Sequence, residues 1–516
     1  MNTAKLLFRG AGLQVVAMVV SLASSFFLAP YVIHSLGDHW YGLWVLIGTF
    51  VGFYGLLDFG ISSATQRYLA DAMPRGDAEE LNTIVASSLV MFCGIALLAL
   101  LVTVGIAFIT PLFMTSLRGA TIFQEVTLIM GGGFALSLPF YTQFGIFSAN
   151  LRLDYSSYVR IGHIVLRTAL FFLVLGLGYG IVKLALASVA SDIVQYATMT
   201  WLARRLTPWL KLRRRHFALA KMRELISFGV YSFVAQIAGT IKFRLDNIVI
   251  AGYLGLAPVT HFNIATKLNG YFFGALNSLV PAPTSLYARY HGRGELQQIR
   301  DKFIILSRIK GTLGMLGIGA VLIFARPFIS LWVGEKYLDA FLPLVIIMGG
   351  RILSTALSPG VGAMYALAKH RFTAFTNLGE AIANLALSLL LVRYYGIIGV
   401  ALGTAIPLLA TRLTILPIYF CRVMELPIPR LVRSVVPLMV LAVVLQVPLV
   451  YAVSRIRIDT YWQIMVWGAC YYLPLLAFFY LVMLTREERR LFSEALPAWP
   501  LKRKGGRLAY TEESRR

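Results

Sequence analysis

Residues Thr240–Gly255 read TIKFRLDNIVIAGYLG, and they begin inside a run that is otherwise apolar back to Leu225. An α-helix turns about 100° per residue, so Lys242 and Asp246, four apart, share one face. Arg244 is two residues from each and lies about 200° around the helix from both. A charged side chain near the centre of a membrane helix costs about 2.5–3.5 kcal/mol against lipid. The stretch is therefore a helix buried in a larger helical assembly, with Lys242 and Asp246 able to neutralise each other. Arg244 needs a protein or aqueous partner elsewhere.

The rest of the chain supplies that assembly. It has 516 residues, 58% of them hydrophobic and 14% charged, with a mean hydropathy of +0.74. Those values place it outside the range of soluble globular domains. Apolar stretches long enough to span a bilayer lie near 11–34, 41–66, 83–109, 122–147, 158–181, 183–203, 223–252, 260–286, 304–325, 340–366, 373–393, 396–420, 432–453 and 461–484. The expected fold is an all-α integral membrane protein of about 14 transmembrane helices.

The net charge of +24 is unevenly placed. Most Lys and Arg fall in the N-terminal lead, the even-numbered loops and the tail. The densest cluster is Arg204, Arg205, Lys211, Arg213, Arg214, Arg215, Lys221 and Arg223, and Lys502, Arg503 and Lys504 follow in the tail. This is the positive-inside pattern with both termini cytoplasmic, a basic face apposed to anionic lipid rather than a nucleic-acid surface. Lys5 and Arg9 before an apolar run suggest an uncleaved first span. Cys93, Cys421 and Cys470 fall in or beside apolar segments and predict neither a disulfide framework nor a metal site.

Laid over itself in one register, the sequence matches Leu36-Gly37 to Leu254-Gly255, Phe53-Tyr54 to Tyr271-Phe272, and Arg75-Gly76-Asp77 to Arg293-Gly294-Glu295. A six-span repeat follows. An even number of spans makes the copies parallel, as two six-helix bundles related by a pseudo-two-fold along the membrane normal. The expected division is a first lobe over 1–203, a basic linker over 204–222, a second lobe over 223–421, two additional helices over 422–484 and a basic tail over 485–516.

PYVIHSLGDHWYGLW at 30–44, LLDFGISSATQRYLA at 56–70 and DNIVIAGYLG at 246–255 resemble the polysaccharide-transporter family of bacterial lipid-linked oligosaccharide flippases. That family sits in the multidrug/oligosaccharidyl-lipid/polysaccharide exporter superfamily. The resemblance implies a central cavity lined by spans 1, 2, 7 and 8, working by alternating access in the inner membrane. Its substrate would be a polyprenyl-diphosphate-linked oligosaccharide moved for surface or exopolysaccharide assembly, with a polymerase and export machinery as downstream partners.

The intramembrane charges can be read against that expectation. Spans 1–6 carry Arg167 against Asp58 and Asp192, whereas spans 7–12 carry Lys242, Arg244, Lys267, Arg351 and Arg412 against Asp246 and Glu380. A surplus of cations is tolerable where the cavity is wet and its usual occupant is an anion. A lipid diphosphate would be that anion, held by Arg244 and Lys267 with help from Lys242. Asp58, Asp246 and Glu380 are candidates for ion coupling, since a desolvated carboxylate can take up a proton. His163, four before Arg167, reads as packed or water-facing. Trp40, Tyr41, Trp44, Trp332, Tyr337, Tyr461 and Trp462 read as an aromatic belt, with a sugar platform as the less favoured alternative. Gly and Pro inside spans 2, 8 and 10, as in Leu279-Val280-Pro281-Ala282-Pro283 and Ser358-Pro359-Gly360, predict kinks.

No catalytic constellation or nucleotide-binding glycine loop is present in the sequence, and no cofactor is implied. The chain reads as a transporter rather than an enzyme. A cation-coupled multidrug exporter of the same superfamily is the nearer rival, but it would favour a net acidic cavity. An integral-membrane polymerase or ligase would need a large outer loop, and the predicted outer loops are short.

Overall fold

The computed structural model describes residues 3–109, 113–114, 116–150, 152–208, 210, 213–280, 284–485 and 489. Side chains 3–11 and 234–243, and a few others, lie outside that description, as do residues 281–283 and the tail with Lys502, Arg503 and Lys504. Among the described residues the chain is helical throughout, with no strand.

The first half runs α1 (Thr3–Phe53), α2 (Ile61–Ala72), α3 (Ala78–Ala107), α4 (Leu117–Ser137), α5 (Thr142–Ala149), α6 (Leu153–Gly176) and α7 (Ile181–Leu206). The second runs α8 (Leu219–Leu254), α9 (Leu256–Leu279), α10 (Thr284–Gly292), α11 (Leu296–Trp332), α12 (Phe341–Ala356), α13 (Ser358–Ala366), α14 (Arg371–Ala410) and α15 (Leu416–Val423). Then follow α16 (Ile428–Ser454) and α17 (Tyr461–Phe478). Ten helical segments among the described residues are long and apolar enough to cross a membrane.

Two of the ten are too long for a single crossing. At 1.5 Å per residue, α1 would extend roughly 75 Å against a hydrocarbon core of about 30 Å. Gly37 breaks it, with φ 76° and ψ 170°, and Gly396 breaks α14 with φ 57° and ψ −135°. These are conformations that only glycine adopts without strain. Helices α8 and α9 meet at Gly255, with φ 88° and ψ −174°. Six of the eight positive-φ glycines among the described residues fall in pairs at one constant spacing: Gly37 with Gly255, Gly76 with Gly294, and Gly178 with Gly396. The first two pairs are the glycines matched in the sequence repeat.

The expected kinks are present in spans 2 and 10. The second span breaks into a short 3-10 turn at Tyr54–Asp58, with Phe59 and Gly60 left-handed before α2. Asp58 caps that break, its Oδ1 accepting from the Ser62 backbone N–H at 3.1 Å and the Ser62 hydroxyl at 2.7 Å. The tenth span breaks at Leu357 between α12 and α13, and the eighth ends at Leu279 before residues outside the description. Helix α8 belongs to neither half alone. Its start packs on the first half, where Leu225 joins a core with Ile61, Phe92 and Leu138, and Lys221 pairs with Glu80 at 3.6 Å.

Of the residues read as an aromatic belt, Tyr461 and Trp462 are exposed, at 46% and 70%. Trp332 and Tyr337 are buried within the core that joins α1, α9 and α11. The reason is that a ring at a helix end satisfies a membrane interface and an inter-helix seam equally well, so the sequence position alone cannot choose between them.

Candidate functional site

A cavity of ≈ 450 Å³ opens between the two halves. One wall is the second part of α1, presenting Tyr41, Trp44, Val45, Gly48 and Thr49. The spacing of three and four residues puts all of them on a single helix face. The opposite wall is Arg244 and Asn247 from α8 with Asn263, Thr266 and Lys267 from α9. Spans 2, 7 and 8 therefore line it as expected. The part of α1 before Gly37 contributes none of these lining residues.

Neutral hydrogen bonds cross the cavity and join its walls. Asn247 Nδ2 donates to Thr49 Oγ1 at 3.0 Å, and the Tyr41 hydroxyl donates to Asn263 Oδ1 at 3.1 Å. The Lys267 ammonium lies 5.8 Å from the centre of the Tyr41 ring, within cation–π range. Among the described residues Arg244 has neither a salt bridge nor a hydrogen-bond acceptor within the protein, and no carboxylate lines the cavity. Two cations expected to act together are thus brought to one polar volume. The side chain of Lys242, the third, lies outside the described residues.

Asp246 points the other way, as its position on the helix requires. It is buried against α14, where Thr404 donates to Oδ2 at 3.0 Å and Asn384 Nδ2 donates to Thr404 Oγ1 at 2.8 Å. Its Oδ1 has no protein partner among the described residues. Glu380 forms a separate buried group: Oε2 lies 3.5 Å from Arg412 Nη2 and accepts from Thr411 at 3.2 Å, while Arg412 Nε donates to Ser354 at 3.0 Å. Arg412 sits in a π-helical turn, Thr411–Ile415.

The remaining intramembrane charges are dispersed. Arg167 lies over the Phe171 ring at 5.3 Å and Arg351 over Phe273 at 4.8 Å. His163 Nε2 and Asp192 Oδ1 are 2.8 Å apart, so this histidine, read as packed or water-facing, is joined to a carboxylate from the next helix. Lys310 escaped the sequence reading. It is buried, and its ammonium donates to Asn277 Oδ1 at 3.1 Å and Ser358 Oγ at 3.0 Å, beside the breaks of spans 8 and 10. No group of three or more His, Cys, Asp or Glu among the described residues is placed to hold a metal ion.

The fold and cavity define a multi-span, all-helical membrane protein with a polar, cation-bearing chamber between two helical halves. The chain belongs to the polysaccharide biosynthesis protein family, whose model matches residues 7–286. It is 22% identical over 497 residues to the uncharacterized membrane protein EpsK of Bacillus subtilis, covering 92% of this chain and 95% of that one. A putative O-antigen transporter of Shigella flexneri is 22% identical over 434 residues, covering 79% and 96% respectively. Among solved structures, the lipid II flippase MurJ in an inward closed conformation superposes with a TM-score of 0.69 at 14% identity, covering 91% of this chain and 98% of that one. At that identity the likeness shows the fold.

Proposed function

We propose that this protein is a flippase that carries a polyprenyl-diphosphate-linked oligosaccharide across the membrane for surface or exopolysaccharide biosynthesis. The observation that carries the reading is the cavity itself: Arg244 and Lys267 project into one chamber that, among the described residues, no carboxylate lines. Two unneutralised cations in a partly desolvated chamber favour an anion over a cationic drug. The neutral donors and acceptors Thr49, Asn247, Asn263 and Thr266 suit sugar hydroxyls, and Tyr41 and Trp44 offer faces on which a sugar ring can rest. Family membership and the O-antigen transporter relative support the same substrate class.

In this reading the diphosphate sits at Arg244 and Lys267 while the tail stays in lipid between the halves. The halves rock to expose the chamber alternately, and no covalent step is involved. Counting Gly37 and Gly396 as turns and α8 and α9 as spans gives about fourteen helices. The paired glycines support a pseudo-two-fold along the membrane normal. The basic loops favour the inner membrane with both termini cytoplasmic. Asp246 is the coupling carboxylate, because it is buried on the far face of the cavity helix with an oxygen that no donor among the described residues occupies. A polymerase and export machinery would take the product.

The test is the arginine. Arg244→Lys keeps the charge but loses the two-pronged grip on phosphate, so glycan export in a strain lacking the native gene should fall partially. Arg244→Gln should abolish export at normal membrane abundance. Normal export from Arg244→Gln removes the residue from the mechanism, and loss of abundance assigns it to the scaffold.

A further inference from the structure

We propose that Gly52 is a positioning residue for Arg244, the bare patch of the opposite wall on which the guanidinium rests. The inference builds on the anion-binding reading of Arg244 and adds a residue that lies beyond the cavity lining. Tyr41, Trp44, Val45 and Gly48 mark one face of α1, and the next residue on that face is Gly52. A Cβ built on Gly52 would fall 1.5 Å from Arg244 Nη1, 2.3 Å from Cζ and 3.0 Å from Nη2. The guanidinium therefore occupies the volume that any side chain at 52 would take. Gly48, one turn earlier, has nothing within 4 Å of its Cβ position, so there the missing side chain leaves open cavity.

The geometry also fixes which partner yields. Gly52 carries no positive φ, so alanine meets no backbone strain there. Within a helix, Gly→Ala is ordinarily stabilising. The group in the way is the tip of a long, flexible side chain, not a backbone. Gly52→Ala should therefore leave the helix intact and swing the guanidinium off the wall of α1, away from where it meets an anion in register with Lys267.

The experiment measures binding of inorganic pyrophosphate, the headgroup of a lipid diphosphate without its tail, to the purified full-length protein in nanodiscs. Melting temperatures are recorded alongside. Arg244→Gln should weaken binding about tenfold or more, the loss expected for one charge-assisted contact. Gly52→Ala should weaken it comparably with an unchanged or raised melting temperature. The double variant should bind no worse than Arg244→Gln alone, because both changes remove the same contact.

Wild-type affinity in Arg244→Gln overturns the anion-site reading and this inference together. Weakening in Arg244→Gln with wild-type affinity in Gly52→Ala overturns this inference alone. A lowered melting temperature in Gly52→Ala makes Gly52 a packing position instead, and additive losses in the double variant show it acting independently of Arg244. Either result overturns the inference.

Discussion

The carboxylate of Asp38 accepts the hydroxyl of Tyr337, tying the turn in α1 to the segment between α11 and α12. Lys336 Nζ stands 3.1 Å from Asp38 Oδ1, Thr260 donates to the Asp38 carbonyl at 2.6 Å, and Trp332 Nε1 donates to the Phe26 carbonyl at 2.9 Å. His261 lies between the two acidic groups, 2.6 Å from Asp339 and 3.9 Å from Asp38. Near Tyr41 and the chamber it lines, the halves are thus closed on each other by several bonds, most of them converging on one aspartate.

Asp38→Ala should loosen that closure. In a background lacking Cys93, Cys421 and Cys470, a cysteine replacing Asn263 should react with a membrane-impermeant maleimide several-fold faster when Asp38→Ala is added. An unchanged labelling rate would mean that the apolar seam around Trp332 holds the end shut without the polar contacts.

Asp246→Asn should uncouple transport without unfolding the protein. Asparagine can still accept from Thr404, so packing against Thr404 and Asn384 is retained while the titratable, charge-bearing oxygen is lost. Uptake of a fluorescent lipid-linked oligosaccharide into proteoliposomes should lose its response to an imposed pH or sodium gradient. A full gradient response in the variant would move coupling elsewhere.

That Arg244 and Asp246 face different sides of α8 was legible from their spacing, because helix geometry sends residues two apart to different faces. The partners were not legible. Thr404 is 158 residues from Asp246 in sequence, and no local pattern announces a neutral hydroxyl as the acceptor's donor. Lys310 was invisible for a related reason: Asn277 and Ser358 carry no charge, so nothing in the sequence advertised a compensated buried ammonium. Glycine was the better signal. Leu36-Gly37 and Leu254-Gly255 matched in sequence because both sites need a left-handed backbone, whereas Gly178 and Gly396 share that backbone with different residues immediately on either side.

Asp58 answers to capping physics. Its carboxylate satisfies Ser62 at the start of α2, just after two left-handed residues, so Asp58→Ala should cost about 0.5–2 kcal/mol. Asp58→Asn keeps an acceptor and should lose much less. Thermal melting in detergent separates the two variants; equal melting of all three proteins would show the break to be held by packing, such as Phe59 on Phe233.

Glu380 and Arg412 test whether a buried ion pair is scaffold or machinery. Both are almost wholly enclosed, and Arg412 has a second partner in Ser354, so the pair joins α14 and its π-helical turn to α12. Glu380→Gln leaves the guanidinium without its counter-charge and should destabilise the protein by about 3–5 kcal/mol, read as a lower melting temperature and reduced membrane abundance. Replacing both, as Glu380→Leu with Arg412→Met, removes the stranded charge and should recover most of that loss, because desolvating two ions offsets much of their attraction. Transport decides the role. A double variant that melts and transports like the wild type makes the pair a joint between helices and leaves Asp246 as the coupling carboxylate; one that melts normally but no longer responds to a gradient transfers that role to Glu380.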